Sequence, residues 1–361
     1  MKIITIVGAR PQFIKAAMLS REFAKHAQVQ EIILHTGQHY DANMSDVFFT
    51  ELGLPQPKYN LGINQSTHGA MTGAMLTEIE KVMIEENPNL VIVYGDTDST
   101  LAGALAAAKL SIPIAHVEAG LRSFNRAMPE EINRVVTDHV SELLFAPTRT
   151  AVQNLHDENR PSSTIQLSGD IMFDAALHAC QQVDHEQILL QHELQPKKYT
   201  LATLHRAENT DTPERLLTWL EGLDDAGKTG PLLLPLHPRT KQRMADFGKS
   251  QEDYSNIRFI EPIGYETMSA LTKNARLVVT DSGGLQKEAY FHKTPCLILR
   301  TETEWVELTQ NGWSLLVNCS PEDFKNALAS HTAPSVEDKS ESFGQGKTAQ
   351  FICSKIIDYL K

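Results

Sequence analysis

The chain has 361 residues, more than one hydrophobic core usually organises, so its length predicts two domains. Its hydrophobic content of 41% and charged content of 22% are ordinary for a globular protein. The net charge of −12 argues against a nucleic-acid-binding protein, because such proteins neutralise phosphates with clustered lysines and arginines. A few local cations still suffice for a small anionic ligand.

The amino-terminal segment and the cysteines predict a cytoplasmic protein that does not enter a membrane. The apolar run Ile3–Val7 is too short for a signal peptide, and no run in the sequence approaches the ~20 apolar residues that span a bilayer. The four cysteines lie far apart without a Cys-x-x-Cys pair, which suits buried thiols in a reducing compartment.

Short apolar runs alternate with longer helical patterns in the first half of the chain. Six of these runs are predicted strands: Ile3–Val7, Glu31–His35, Leu90–Tyr94, Pro113–Val117, Leu143–Phe145 and Thr164–Leu167. Each is apolar on both faces, as in a parallel sheet covered by helices. The stretch Met71–Glu86 repeats apolar residues at helical spacing and predicts one covering helix.

A polar stretch, Gln181–Lys198, interrupts the alternation and predicts a domain boundary near residue 175. Six more predicted strands follow it: Tyr199–Leu204, Leu232–Leu236, Ile257–Ile260, Leu277–Thr280, Cys296–Leu299 and Ser314–Val317. This alternation predicts two α/β domains, each a Rossmann-like, doubly wound parallel sheet, over residues 1–175 and 176–345. A closing helix is predicted over 346–361 and packs on one of the two domains.

Ligands of open parallel sheets bind beyond the carboxyl ends of the strands, so polar residues there are candidates for a site. Gly8-Ala9-Arg10-Pro11 follows the first strand but matches neither the dinucleotide fingerprint nor a P-loop, so hydride transfer and P-loop chemistry lose their main support. Pro11 is expected at the first helical position, with Lys15 one turn further. Arg10 alone is open to two interpretations, a ligand-binding cation and a solvated turn residue.

The turn Gly95-Asp96-Thr97-Asp98 suggests a metal site, but oxygen-ligand sites need more donors than this pair offers. His35-x-x-x-His39 likewise lacks a third ligand. We therefore expect no metal and no cofactor. Asp98 is expected in the cap or first turn of the next helix, and Asp96 at the site.

Asp96, Glu118 and the pair Glu130-Glu131 are candidates to converge in the first domain. Closely placed carboxylates cannot all stay ionised cheaply, so one is expected to titrate high and act as an acid or base. With a histidine from the second domain, such groups suit proton transfer at carbon and departure of a leaving group. For Glu131, a first-turn charge facing the helix dipole is the competing interpretation.

The second half has its own polar strand ends: His205-Arg206-Ala207-Glu208, His237-Pro238-Arg239 and Asp281-Ser282-Gly283-Gly284. The two adjacent glycines open a helix whose N–H groups and dipole favour a phosphate. Glu288, one turn further, offers acceptors for ribose hydroxyls. A plain Ser-Gly helix cap is the alternative, and Glu288 favours the nucleotide interpretation.

Six motifs occur in this order: Gly-x-Arg-Pro-x-x-Ile-Lys (Gly8–Lys15), Gly-Asp-Thr (Gly95–Thr97), His-x-Glu-Ala-Gly-Leu-Arg (His116–Arg122), Pro-Glu-Glu-x-Asn-Arg (Pro129–Arg134), His-Arg-x-Glu (His205–Glu208) and Asp-Ser-Gly-Gly-x-Gln-x-Glu (Asp281–Glu288). Together they resemble the non-hydrolysing UDP-N-acetylglucosamine 2-epimerases. The resemblance implies a glycosyltransferase-B-type fold, in which the two domains face across a cleft and the closing helix joins the first domain. It also implies a homodimer and a UDP-sugar substrate.

The resemblance further implies a mechanism without metal or nicotinamide. The proton on carbon 2 of the sugar is removed while UDP departs, and UDP re-adds after reprotonation of the glycal-like intermediate from the opposite face. The family's acids and bases fall on Asp96, Glu118 and Glu130, with His205 toward the diphosphate. Substrate contacts fall on Arg10, Lys15, Ser282, Gly283, Gly284 and Glu288, and we further assign Arg122, Arg126, Arg134, Arg206, His237 and Arg300 to substrate binding.

Several positions depart from the glucosamine branch of this family. Gln12 stands where that branch has Glu, and Trp305-Val306 stands where it has Arg-Pro. These positions, with His39–Ser45, look closer to the branch acting on UDP-2,3-diacetamido-2,3-dideoxyglucuronate, whose carboxylate we assign to Arg126 in the short loop Ser123–Met128. Asp41 and Ala207 replace polar or basic residues of the glucosamine branch, so its allosteric activation is not expected here.

We therefore expect a 2-epimerase acting on the diacetamido-uronate for surface polysaccharide or O-antigen synthesis. Three alternatives remain: a UDP-N-acetylglucosamine 2-epimerase that makes UDP-N-acetylmannosamine, a hydrolysing relative, and a UDP-sugar glycosyltransferase. The last shares the fold but needs an acceptor site.

Overall fold

The computed structural model describes residues 1–38, 53–303, 305–334 and 342–361. The chain divides into two compact units, Met1–Ala175 with Glu341–Lys361, and Ala176–Ser340. The predictions for His39, Asp41 and the segment His39–Ser45 lie outside the described residues. No described helix is both long and apolar enough to cross a membrane.

The first unit contains a sheet of parallel strands, seven of them among the described residues: β1 (Lys2–Val7), β2 (Gln30–His35), β3 (Tyr59–Asn60), β4 (Leu90–Tyr94), β5 (Ile114–Val117), β6 (Leu143–Ala146) and β7 (Ile165–Leu167). Their order across the sheet is β3-β2-β1-β4-β5-β6-β7. The prediction of six strands here is wrong, because β3 is a two-residue edge strand opposite Leu34 and His35. Two residues are too few to form a recognisable apolar run.

Helices connect these strands and cover the sheet: α1 (Arg10–Phe23), α2 (His68–Glu86), α3 (Asp98–Lys109), α4 (Pro129–Val140), α5 (Arg149–Asp157) and α6 (Ile171–Gln181). Local sequence determines where they begin. Thr67, Thr97 and Thr148 each accept a hydrogen bond from a backbone N–H in the first turn of the following helix. Pro11 occupies the second position of α1, one residue later than predicted, where no backbone N–H is needed.

The second unit contains six described parallel strands: β8 (Thr200–Thr203), β9 (Leu232–Pro235), β10 (Ile257–Ile260), β11 (Leu277–Thr280), β12 (Cys296–Ile298) and β13 (Ser314–Leu316). Their order, β10-β9-β8-β11-β12-β13, is that of a Rossmann sheet. The central strands β8 and β11 are buried throughout, whereas the edge strands β10 and β13 are partly exposed, so not every strand is apolar on both faces as predicted.

The helices of the second unit are α7 (His185–Gln191), α8 (Ala207–Thr210), α9 (Pro213–Gly227), α10 (Pro238–Asp246), α11 (Tyr265–Asn274), α12 (Gly283–Phe291), α13 (Val306–Gln310) and α14 (Pro321–Ser330). Neighbouring residues of β8 face opposite layers. Ala202 packs in the cluster that contains Trp219 of α9, and Leu201 packs in the cluster that contains Leu285 of α12. Both faces of the sheet are therefore covered, which confirms the doubly wound prediction.

The last helix, α15 (Thr348–Tyr359), lies in the first unit and packs against α1. Its first turn is fixed by Asp174, whose carboxylate accepts the N–H groups of Thr348 and Ala349 at 3.1 and 2.9 Å. The apolar side chains Ile352 and Ile356 are fully buried. These contacts return the end of the chain to the first sheet.

Candidate active site

Each sheet reverses its strand order once, between β1 and β4 in the first unit and between β8 and β11 in the second. In open α/β sheets, ligands bind at such reversals, beyond the carboxyl ends of the strands. The turns after β1 and β4 carry Arg10 and Asp96, and those after β8 and β11 carry His205 and Ser282. Two groups of predicted site residues thus lie where the fold expects a ligand.

In the first unit, the buried Gln12 connects the two turns at the reversal. Its side-chain carbonyl accepts the N–H groups of Gly8 and Ala9 at 2.8 and 3.0 Å. Its amide donates to the Tyr94 carbonyl at 2.9 Å and lies 3.0 Å from the Thr97 hydroxyl. Sequence reasoning had used Gln12 only to distinguish branches, but its amide holds the turns after β1 and β4 together.

Glu118 directly follows β5 and has a backbone φ of +74°, a left-handed conformation that is strained for a residue with a side chain. Its carboxylate forms a largely buried ion pair with the ammonium of Lys15, from α1. A Cβ placed on Gly95 would lie 3.2 Å from this carboxylate. The Glu118 carboxylate therefore sits beside the turn that carries Asp96, and Gly95, at φ +64°, leaves room for it.

Asp96 is held by α4. Its carboxylate pairs with Arg134, and its backbone carbonyl accepts the Asn133 side-chain amide at 2.9 Å. The Asp96 side chain remains 35% exposed, so it is open to a ligand. Glu130 lies one turn before Arg134 on the same helix, is exposed, and has no hydrogen bond or ion pair in the part of the chain that the structure describes.

Glu131 has a different environment from Glu130. It is buried and accepts the N–H groups of Ser123 and Phe124, both at 2.9 Å, while Arg134 donates to it at 2.7 Å. Burial acts to raise the pKa of Glu131, but these donors outweigh burial and hold the pKa below its usual value. Glu131 therefore stays ionised and fixes the loop that carries Arg126.

Arg122 was predicted to bind substrate, but the structure places it in the scaffold. Its guanidinium is 1% exposed and forms a bidentate pair with Glu158, at 2.6 and 2.7 Å, and a further bond to Asp138 at 2.7 Å. With the bond to the Leu121 carbonyl at 2.6 Å, four of its five N–H groups are used within the chain, and its assignment to substrate binding stays a prediction. Arg10 and Arg126, by contrast, are exposed.

Asp98 does not join Asp96 in a metal site. It is buried, lies 2.9 Å from the His68 ring and accepts from Asn133 at 3.3 Å. Among the residues described, no group of three or more His, Cys, Asp or Glu side chains is placed to hold a metal ion.

In the second unit, the buried Asp281 organises the turns after β8 and β11. Its carboxylate accepts the backbone N–H groups of His205 and Arg206 at 3.0 and 2.9 Å and the Asn209 amide at 3.2 Å. Only the position of Asp281 before Ser-Gly-Gly could have marked it in the sequence. Its role as an acceptor for the turn after β8 needed the fold.

The predicted phosphate-binding turn begins α12. The Ser282 hydroxyl accepts the Leu285 N–H at 3.4 Å, so a helix cap is present, as the alternative interpretation held. A Cβ on Gly284 would meet only the Ser282 hydroxyl, at 3.8 Å, so packing within the chain does not require glycine there. The open space suits a ligand phosphate approaching the helix N-terminus.

His205 and His237 stack with their ring centroids 5.5 Å apart. His237 accepts the Arg239 N–H at 3.1 Å through Nδ1, so that nitrogen carries no proton. Burial and the neighbouring His205 lower the pKa of His237, which keeps the ring neutral. Of the remaining assigned residues, Arg206 follows His205 and is half-buried, and Glu288 on α12 is buried. Arg300, after β12, is buried and lies 3.8 Å from Glu208.

Comparison with known proteins gives a consistent result. The family model described as UDP-N-acetylglucosamine 2-epimerase matches residues 21–357. A UDP-2,3-diacetamido-2,3-dideoxy-D-glucuronate 2-epimerase of Pseudomonas aeruginosa is 48% identical, over 100% of this chain and 99% of its own. A UDP-N-acetylglucosamine 2-epimerase homolog of Methanococcus maripaludis is 47% identical over the same shares. The crystal structure of Methanocaldococcus jannaschii UDP-GlcNAc 2-epimerase with UDP-GlcNAc and UDP has a TM-score of 0.86 at 43% identity, covering 99% of this chain and 100% of that one.

Proposed function

The chain belongs to the UDP-N-acetylglucosamine 2-epimerase family and is a UDP-sugar 2-epimerase, an isomerase, and from that premise we propose how it acts and on which sugar. We propose that it removes the proton on carbon 2 while UDP leaves, and that UDP re-adds after reprotonation from the opposite face. No metal or nicotinamide takes part.

The observation that carries this proposal is the set of carboxylates at the reversal of the first sheet. Asp96 and Glu118 follow adjacent strands and are each paired with a cation, Arg134 and Lys15. Glu130, on the helix bonded to the Asp96 turn, has no such partner among the described residues. Inversion needs a base on one face of carbon 2 and an acid on the other, and carboxylates in distinct environments can divide these roles.

We assign the leaving group to the second unit. UDP departs as an anion, and the open N-terminus of α12 with Ser282, Gly283 and Gly284 favours a phosphate. Glu288 would accept the ribose hydroxyls. His205 would donate a hydrogen bond to the diphosphate as the bond to the sugar breaks. The hydrogen bond from its backbone N–H to Asp281 and its stacking with His237 orient the ring.

For the sugar we propose UDP-2,3-diacetamido-2,3-dideoxyglucuronate. The 48% identical relative bears the name of an epimerase for this compound, and the loop held by Glu131 presents the exposed cation Arg126 for the carboxylate. UDP-N-acetylglucosamine is the second candidate, since a relative bearing that name is 44% identical over 100% of both chains. The product of either would serve polysaccharide synthesis in the cytoplasm, by an enzyme that we expect to be a homodimer.

A substrate panel tests the choice of sugar. We expect kcat/KM to be higher for the diacetamido-uronate than for UDP-N-acetylglucosamine. Replacing Arg126 by Ala should lower kcat/KM for the uronate by roughly 10- to 100-fold, the usual loss of one charged hydrogen bond. It should leave turnover of UDP-N-acetylglucosamine unchanged. Equal effects on both sugars, or none on the uronate, would contradict the assignment of Arg126.

A further inference from the structure

His116, at the end of β5, is fully buried and has hydrogen-bond acceptors at both ring nitrogens. Nδ1 lies 2.7 Å from a carboxylate oxygen of Asp138, and Nε2 lies 2.8 Å from the backbone carbonyl of Gly95. A carbonyl oxygen only accepts hydrogen bonds, and so does an ionised carboxylate. The mechanism proposed above does not use this residue.

We propose that His116 is a positioning residue, a buried imidazolium that donates to Asp138 and to Gly95 at once and so fixes the two strand ends that carry Asp96 and Glu118. The catalytic part of this inference rests on the proposed function of those two carboxylates. The protonation state does not depend on that proposed function.

The second proton follows from the acceptors on each side of the ring. A neutral imidazole carries one N–H, so the other nitrogen would turn a lone pair toward an oxygen less than 3 Å away, in a site without water contact. Leaving a buried polar group unpaired in this way is costly. Only a ring protonated at both nitrogens satisfies both contacts.

Asp138 stays ionised, so it does not supply the second proton. Its other carboxylate oxygen accepts the Gly120 N–H at 3.0 Å and the Arg122 guanidinium at 2.7 Å. Burial acts to raise the pKa of Asp138, but the charges of His116 and Arg122 hold the pKa below its usual value. The Gly120 N–H and the permanently charged Arg122 favour the ionised carboxyl whatever the state of His116.

The surrounding charges balance. Arg122 pairs with Glu158, which the exposed His139 also approaches at 3.1 Å. The network therefore consists of two buried cations, His116 and Arg122, the buried anion Asp138 and the partly exposed anion Glu158. Such a balanced network is tolerated in an interior where a single unpaired charge is not.

The network holds the catalytic turns from both sides. Gly95, whose carbonyl accepts from His116, immediately precedes Asp96 and has the left-handed φ of +64°. His116 precedes Glu118 by two residues, and Gly120, bonded to Asp138, follows it by two. One buried group therefore sets the backbone at Asp96 and Glu118 together. A displacement of about 1 Å in such groups can cost about 100-fold in rate.

The protonation state is tested by nitrogen NMR of the full-length enzyme labelled with 15N at histidine, with the His116 ring assigned through its own backbone. We expect both ring nitrogens to carry a proton at neutral pH. One unprotonated nitrogen would overturn the inference. This readout requires no activity, so it is unaffected if the proposed function fails.

The positioning role is tested with His116→Gln, alongside His139→Gln as an exposed control near the same network. Both N–H donors of glutamine are on one nitrogen, so they cannot replace donors at the two separate ring nitrogens. For His116→Gln we expect kcat to fall about 100-fold while KM changes less than about twofold. For His139→Gln we expect both constants to stay as in the wild type. A folded His116→Gln enzyme with wild-type kcat would overturn the role. If this variant does not fold, an unprotonated ring nitrogen in the NMR experiment would overturn the role too, because such a ring cannot donate to both strand ends. A wild-type enzyme without carbon-2 exchange would instead count against the proposed function.

Discussion

Glu118 is constrained twice, by its largely buried ion pair with Lys15 and by its strained backbone. Glu118→Gln keeps the shape but removes the ability to take or give a proton. We expect proton exchange at carbon 2 to fall by roughly 10²- to 10⁴-fold, the usual worth of a general acid or base. The exposed Glu78→Gln is the control and should exchange at the wild-type rate. Exchange by Glu118→Gln at that rate would remove Glu118 from the mechanism.

The side chain of Gln12 both accepts and donates hydrogen bonds, so its replacement is expected to change the stability of the protein. In Gln12→Glu, a carboxylate oxygen would face the Tyr94 carbonyl, which now accepts the Gln12 amide. We expect the free energy of unfolding to fall by roughly 1–3 kcal/mol, the cost of an unsatisfied buried polar group. Denaturant titration measures it, with the exposed Gln28→Glu as the matched control. Equal stability of the two variants would show that the Gln12 amide is dispensable.

His292, which follows α12, is expected to make the stability of the protein depend on pH. Burial lowers the pKa of its imidazole to about 4, aided by the charge of Lys273, while the ordinary histidine pKa of 6.5 applies to the unfolded chain. Between these two values the unfolded state binds a proton that the folded state does not, so stability falls as pH decreases below 6.5. From pH 7 to 5 we expect a loss of about 2 kcal/mol from this residue.

The test compares denaturant titrations of the wild type and His292→Gln at both pH values. The variant lacks the titrating ring, so its stability should fall by about 2 kcal/mol less on acidification. The same pH dependence in both proteins would mean that His292 is not buried in its neutral form. The ring hydrogen-bonds the buried Ser269 hydroxyl at 2.9 Å, so the variant is also expected to be less stable at pH 7.

Among the helices, α15 allows the most direct test, because a single side chain fixes its first turn. The Asp174 carboxylate serves two N–H groups in its first turn, and Asn would offer only one accepting oxygen. Asp174→Asn should increase hydrogen exchange of the backbone amides in α15 and cost about 1 kcal/mol, as for a lost helix cap. Asp358→Asn, on the exposed side of the same helix, should change neither. Unchanged exchange in Asp174→Asn would mean that packing against α1 alone holds α15.

The strands were predictable because buried parallel strands are continuous apolar runs, and all twelve predicted runs are strands. The edge strand β3 was not predictable, because its pairing with β2, and not its composition, makes it a strand. Counting from the strand ends placed Asp96 at the reversal and Glu118 at the end of the neighbouring strand. It could not show that Arg122 is buried, because its partners Asp138 and Glu158 lie 16 and 36 residues away in sequence and only the folded chain brings them to the guanidinium.

The molecule as a whole uses one arrangement twice. Both sheets reverse their order at the same relative strands, and each reversal is held by a buried polar side chain, Gln12 in one unit and Asp281 in the other. The carboxylates that we propose as acid and base belong to the first, and the open helix N-terminus suited to a phosphate belongs to the second. The net charge of −12 therefore says little about an anionic substrate, since local groups decide its binding.

Incubation with a UDP-sugar alone in deuterated water, without any acceptor, tests the central claim most directly. Elimination and re-addition predict that deuterium enters carbon 2, that the 2-epimer appears, and that free UDP does not accumulate beyond a trace of intermediate. A glycosyltransferase would give no deuterium at carbon 2 without an acceptor, and a hydrolysing enzyme would release UDP in step with free sugar. An epimerised product that lacks deuterium would contradict proton removal at carbon 2 itself.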